Sequence, residues 1–197
     1  MKKAILLVVI LFISVLSTAC INNLAVQELN NKAKDYLNKG DYENAIGRLK
    51  SSIDLDSTIF ESHYNLGIAY TQAEKYIEAV EAFTNASKLN PGFADTYYSL
   101  AVAQENYAKG IIDGTLKKDN AKTDEEITKN DNQEEEKKVL TLDEKNQVIK
   151  FFEDSIASYK IYLEKGKDIS DRNEVEEKIN YLESQILKYS DAKDMVQ

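Results

Sequence analysis

Two side chains could do chemistry that no other residue in the chain can share: Cys20, the sole cysteine, and His63, the sole histidine. A lone thiol excludes an intramolecular disulfide and a Cys-cluster zinc site. A lone imidazole argues against a His-based metal centre or a catalytic triad within one chain. The acid runs Asp124-Glu125-Glu126 and Glu134-Glu135-Glu136 are dense enough to attract calcium. They lack the alternating oxygen ligands and central glycine of an EF-hand loop, so they read as solvated charge. No Gly-rich phosphate loop, G-x-S-x-G or H-E-x-x-H is present. A net charge of −9 and a pI near 4.8 disfavour nucleic acid and bare anionic lipid as partners. No cofactor, metal or enzymatic activity is expected. The chemistry that remains is attachment and recognition.

Attachment points to the N-terminus. Met1-Lys2-Lys3 is followed by a 13-residue apolar run from Ala4 to Leu16, broken only by Ser14. A bilayer span needs about 20 residues, whereas a signal h-region has this length. Ser17-Thr18-Ala19-Cys20 comes next. Small residues before a cysteine, directly after the h-region, resemble a bacterial lipoprotein signal. The family prefers Leu three residues before the cysteine; here Ser17 stands there and Leu16 one residue further back. The resemblance implies removal of residues 1–19, a diacylglyceryl thioether on Cys20 and often an N-acyl chain (palmitate is the usual fatty acid). Two or more acyl chains make membrane attachment stable. An ordinary signal peptide cut near Ala19 would explain the h-region equally well, but not why the single cysteine lies where lipid would attach.

Recognition depends on the elements that follow. From Leu24 onward the apolar pattern is helical, without strand-like alternation. One proline and seven glycines supply too few turns for an all-β sandwich or barrel. The pattern also repeats. Ala33, Gly67 and Ala101 are 34 residues apart, and around the first two the same types recur: Tyr36 and Tyr70, Tyr42 and Tyr76, Ala45 and Ala79, Leu49 and Phe83, Ser52 and Ala86, Leu55 and Leu89. Gly40-Asp41, Asp56-Ser57 and Asn90-Pro91-Gly92 provide helix stops and caps between them.

This spacing resembles the tetratricopeptide repeat, a 34-residue helix–turn–helix unit. Residues 60–93 match best, through Leu66-Gly67, Tyr70, Ala79, Phe83, Ala86 and Pro91, with His63 at the usual large position of helix A. Residues 26–59 form a weaker copy. Gly67, Ala79 and Ala86 let paired helices approach, and Tyr70, Tyr76 and Phe83 fill the space beside them. A hairpin of this kind cannot bury its apolar face alone, so neighbours must stack. The resemblance implies a concave groove lined by helix A, at Gln27, Asn30, Lys34 and Asn38, then Glu61, Tyr64, Ile68 and Gln72, then Asp95, Tyr98, Val102 and Glu105. Asn30, Lys34, Glu61, Tyr64, Ile68, Tyr98, Val102 and Glu105 are the candidate partner-binding set. Some family members clamp a partner's C-terminal carboxylate with Lys and Arg; Asp95 and Ser99 occupy the corresponding region here, so no such clamp is expected.

The third unit begins with Tyr97, Leu100 and Ala101 and is then interrupted. Residues 113–140 hold nine acids and six lysines with no aromatic. Such a stretch cannot bury enough surface to offset chain ordering and reads as disordered. Thr141-Leu142-Asp143-Glu144 is a capping-box sequence. Ile149, Phe152, Ile156, Tyr159 and Leu163 then mark one amphipathic helix, and Val175, Ile179, Leu182, Ile186 and Tyr189 another. Seating Ser155 where the second unit has Ala79 makes residues 142 onward helix B of unit three plus a capping helix. The alternative is an independent helical hairpin.

The expected architecture is all-α, with about three tetratricopeptide-type hairpins, a C-terminal capping helix and a disordered acidic insert. Its boundaries are a signal at 1–19, units one, two and helix A of three at 20–112, the insert at 113–141, helix B and cap at 142–190, and a tail at 191–197. The expected role is a lipid-anchored, non-enzymatic scaffold of the bacterial cell envelope (outer membrane if Gram-negative), as in envelope or pilus assembly, whose groove takes a protein segment. The rival is a surface-exposed lipoprotein that binds external molecules.

Overall fold

The computed structural model describes residues 23–116, 139–166 and 170–194. The signal at 1–19, the lipidation site Cys20 and most of the acidic insert (117–138) lie outside the described residues. Seven helices are present among them: α1 (23–38), α2 (Tyr42–Leu55), α3 (Phe60–Gln72), α4 (Tyr76–Leu89), α5 (Ala94–Asp113), α6 (Leu142–Lys165) and α7 (Arg172–Asp194). They form three successive hairpins, α1–α2, α3–α4 and α5–α6, with α7 packed on α6. No strand occurs among the described residues.

Local chemistry sets the boundaries. Gly40 adopts φ +72°, the left-handed conformation that ends α1, and the Asp41 carboxylate accepts from Asn44 N–H to start α2. Glu74, 34 residues after Gly40, carries the same left-handed backbone at φ +61° between α3 and α4, without glycine's freedom. At α6 the capping box forms in both directions: Thr141 Oγ1 accepts from Glu144 N–H, and Glu144 Oε2 accepts from Thr141 N–H at 2.9 Å. Both ends of the acidic segment carry described structure, beyond what composition suggests. α5 runs to Asp113 and stops at left-handed Gly114, and Leu140 is buried ahead of α6.

Two apolar clusters meet at α5. The first joins α1 to α4 with Leu100 and Ala103; the second joins Ala101, Ala108 and Ile111 to α6 and α7 through Val148, Phe152, Tyr159, Val175 and Leu182. Ser155, deep in this second cluster, donates its hydroxyl to Ala101 C=O at 2.9 Å. The close approach at Gly67 is made by the Phe83 ring, not by the small Ala79: a Cβ on Gly67 would lie 2.6 Å from Phe83 Cδ1 and Cε1.

The two hairpin junctions solve one repeat position differently. Between the first and second hairpins, Asn30 Nδ2 lies 2.8 Å from both Ser52 Oγ and Ser62 Oγ and also donates to Val26 C=O. Thirty-four residues on, the same three positions are Tyr64, Ala86 and Thr96. Thr96 is fully buried, and its hydroxyl finds no partner among the described residues. An unsatisfied buried polar group costs about 1–3 kcal/mol, so Thr96→Val, of the same shape, is expected to stabilise the fold by about 1 kcal/mol. Ser62→Ala should destabilise by a similar amount, because it removes the buried hydroxyl that bonds both Asn30 and Ser52. Chemical denaturation of both variants checks the opposite signs, and a destabilised Thr96→Val would show that the hydroxyl is satisfied.

Candidate partner-binding groove

Helices α3 and α5 approach each other directly on one face of the array. Ile68, Thr71 and Gln72 of α3 and Tyr98, Ser99 and Val102 of α5 border an open cleft of about 160 Å³, with the Phe83 ring of α4 beneath. Leu66 and Tyr70 of α3 are buried in the core, which leaves Ile68 and Thr71 on the side toward α5. The lining is mainly apolar, with hydroxyl and amide groups at its margin.

The eight candidate residues do not share this environment. Ile68, Tyr98 and Val102 line the cleft. Lys34 and Glu61 are exposed on α1 and α3. Tyr64 is half-buried in an aromatic cluster, 5.7 Å from Phe60, 5.7 Å from Phe83 and 5.4 Å from Phe93 between ring centres. Asn30 and Glu105 are corrections, since both are buried. Asn30 is consumed by the Ser52–Ser62 pair, to whose hydroxyls its amide donates at 2.8 Å. Glu105 Oε2 accepts from the Tyr159 hydroxyl at 3.0 Å and Oε1 binds Lys109, which ties α5 to α6. Thr71 at the cleft margin was not singled out by the sequence, and Ser99 only as standing where a clamp cation would be wanted, because small polar residues on a helix carry no periodic signal.

At the C-terminal end the cleft passes into a tyrosine–carboxylate cluster. Tyr98 packs against Tyr159 and Tyr162, with ring centres 5.7 Å and 5.2 Å away. The Tyr162 hydroxyl donates to Asp171 at 3.0 Å. Burial first, then the charges of Glu174, Asp171 and Glu105, push the Tyr98 phenol up from its ordinary pKa. Burial, the Asp171 hydrogen bond and the charges of Asp171 and Asp95 push Tyr162 up to about 12. The field at this end of the groove is negative. Asp171 and Glu174 belong to the start of α7, outside the repeat alignment that pointed to the groove.

His63 is buried, with Nε2 2.9 Å from Ser57 C=O. It borders a second depression of about 490 Å³ on the other face, walled by Lys50, Ile53 and Asp54 of α2 and Glu78, Glu81 and Asn85 of α4. Lys50 Nζ sits 5.7 Å over the Tyr70 ring there. Among the described residues, no group of three or more His, Cys, Asp or Glu side chains could hold a metal ion, and no helix is long and apolar enough to cross a membrane.

Comparison with known proteins accounts for the hairpin architecture. A family model described as tetratricopeptide repeat matches residues 60–93, and a second, described as TPR repeat, matches residues 33–73. The chain carries tetratricopeptide repeats. The solved first TPR of Spaghetti (RPAP3), bound to the HSP90 peptide SRMEEVD, superposes with a TM-score of 0.56 at 15% identity over 83% of this chain and 94% of that one. The first TPR domain of human RPAP3 gives the same TM-score and identity over 84% and 95% of the two chains. At these identities the likeness establishes a shared fold of repeats. A curated relative, chitin biosynthesis protein CHS6 of Saccharomyces cerevisiae, is 37% identical over 89 residues, which span 44% of this chain and 12% of the yeast protein. Both matched family models describe the same repeat and together span residues 33–93.

Proposed function

We propose that this chain is a lipid-anchored, non-enzymatic scaffold of the bacterial cell envelope, held at a membrane by Cys20, whose repeats recruit an extended segment of another protein. The open apolar cleft between Ile68 and Val102 carries the reading, because two adjacent A helices leave it unfilled where a peptide backbone can lie. An RPAP3 domain of the same fold is bound to a peptide, which supports segment recognition as the use of such a face. The anchor rests on the apolar run Ala4–Leu16 and on the position of the single cysteine.

Anchor and groove are tested separately. Cys20→Ala is expected to abolish fatty-acid labelling and to leave residues 1–19 uncut. A cleaved, lipid-labelled Cys20→Ala product would overturn the anchor. A photocrosslinking residue in place of Ser99 should yield a discrete crosslinked protein in intact cells, lost when Ile68 and Val102 are both changed to Gln. Crosslinks that ignore the Gln changes would place the partner elsewhere. Resistance of the chain to protease added outside intact cells would separate an internal scaffold from a surface-exposed binder.

A further inference from the structure

Given that the cleft takes a peptide, its charge determines which peptide. The carboxylates of Asp95, Asp171 and Glu174 gather around Tyr98 and Tyr162, and Tyr98 is also a wall of the cleft. Apolar lining and negative end are therefore one continuous surface. Asp95 and Glu174 are exposed and can turn toward a ligand. Of the cations nearby, Lys109 is bound to Glu105, Lys165 lies 5.6 Å over the Tyr97 ring, and Arg172 donates to Leu163 C=O at 3.1 Å with Glu176 3.7 Å away.

We infer that the groove selects a segment with an apolar side chain for the Ile68–Val102 cleft followed by Lys or Arg for the Asp95–Asp171–Glu174 end. The tyrosine rings suit this role as well as the carboxylates do. A cation over an aromatic face is attracted by the ring quadrupole, and Arg stacks there readily. An acidic C-terminal segment meets the opposite condition: its carboxylates would face like charges, which excludes it from the same cleft. This chain accordingly shares a fold with the peptide-bound RPAP3 domain while demanding a partner of opposite charge to the acidic tail of SRMEEVD.

The inference rests on the proposed groove, so the test has to separate the two. A random 12-residue peptide display library is panned on the full chain, on Ile68→Gln/Val102→Gln and on Asp95→Asn/Glu174→Gln, with circular dichroism confirming that each remains helical. Sequences retained by wild type and lost on Ile68→Gln/Val102→Gln define groove ligands. They are expected to carry an apolar residue beside Lys or Arg, and to weaken about tenfold on Asp95→Asn/Glu174→Gln or on raising salt through the range that screens exposed charges. Groove ligands that are neutral or acidic would overturn the cationic preference and leave the groove standing. Absence of any ligand sensitive to Ile68 and Val102 would overturn the groove itself, and the preference with it.

Discussion

Gly67→Ala should destabilise this protein by about 1–3 kcal/mol, although alanine is the better helix former by about 1 kcal/mol. Gly67 lies inside α3, and the added methyl would sit 2.6 Å from two carbons of the Phe83 ring and 2.8 Å from a third. The ring cannot swing away cheaply. It is 1% exposed, pressed beneath the Ile68–Tyr98–Val102 cleft and in edge contact with Tyr64. Overlap therefore outweighs propensity. Gly47 is the internal control: it lies in α2 with nothing within 4 Å of its would-be Cβ. Gly47→Ala should stabilise by about 0.5–1 kcal/mol. Thermal melts of the two variants should move in opposite directions. Phe83→Leu in the Gly67→Ala background should recover part of the loss, since contacting residues are not additive. Equal shifts at positions 47 and 67 would mean that the helices can part at Gly67 without cost.

The sequence carried the fold because each hairpin repeats its neighbour's steric problem. Ala33 and Gly67, Ala45 and Ala79, and Leu49 and Phe83 recur at the same interval, and all six are buried. A 34-residue period in small and large residues is a packing instruction legible without coordinates. The third hairpin was harder to read because α6 begins at Leu142, far along the chain from Gly114, where α5 stops. Beside the apolar cluster, polar pairs join its helices: Ser155 to Ala101, Ser158 to Gln104 and Tyr159 to Glu105 all pair residues 54 apart. The apolar period of α6 marks a helix but not its partner, and these polar pairs carry no signal at the 34-residue interval.

The groove was only partly legible, for a reason that lies in helix rotation. Asn30, Tyr64 and Tyr98 form one row of equivalent positions, and Lys34, Ile68 and Val102 form the next. Both rows lie on the A helices, and one turn of helix brings them side by side. The first row turns inward: Asn30 meets Ser52 and Ser62, Tyr64 meets Phe93, and Tyr98 meets Tyr159 and Tyr162 of α6. The second row stays open. Tyr64→Ala should consequently behave as a core truncation, contrary to an open-groove assignment: its ring holds Phe60, Phe83 and Phe93 together, and such aromatic pairs contribute about 0.5–1.5 kcal/mol beyond area burial. The negative end of the groove escaped for another reason. Asp171 and Glu174 are remote in sequence and reach Tyr98 only because α7 folds back along α6.

Removal of the Glu105 carboxylate should be the most damaging polar change in the chain. Glu105 is 6% exposed on α5, and it accepts from the Tyr159 hydroxyl, which is fully buried on α6. Burial and the Glu105 charge hold that phenol neutral far beyond its ordinary range, so it serves as a permanent donor. Glu105→Leu removes a charged acceptor and strands the hydroxyl in a dry core. A hydrogen bond to a charged group contributes about 1.5–3 kcal/mol, and a stranded buried donor costs about 1–3 kcal/mol. Lys109 softens the loss little, because it is 46% exposed and can return to water. Tyr159→Phe should cost less, since Glu105 keeps Lys109 as a partner. Glu105→Leu/Tyr159→Phe should then be more stable than Glu105→Leu alone, because no stranded hydroxyl remains. Urea titration of the two single variants and the double closes the cycle. A double variant less stable than Glu105→Leu would show that the Tyr159 hydroxyl finds another acceptor once the carboxylate is gone, and that its bond to Glu105 is not what holds α6 against α5.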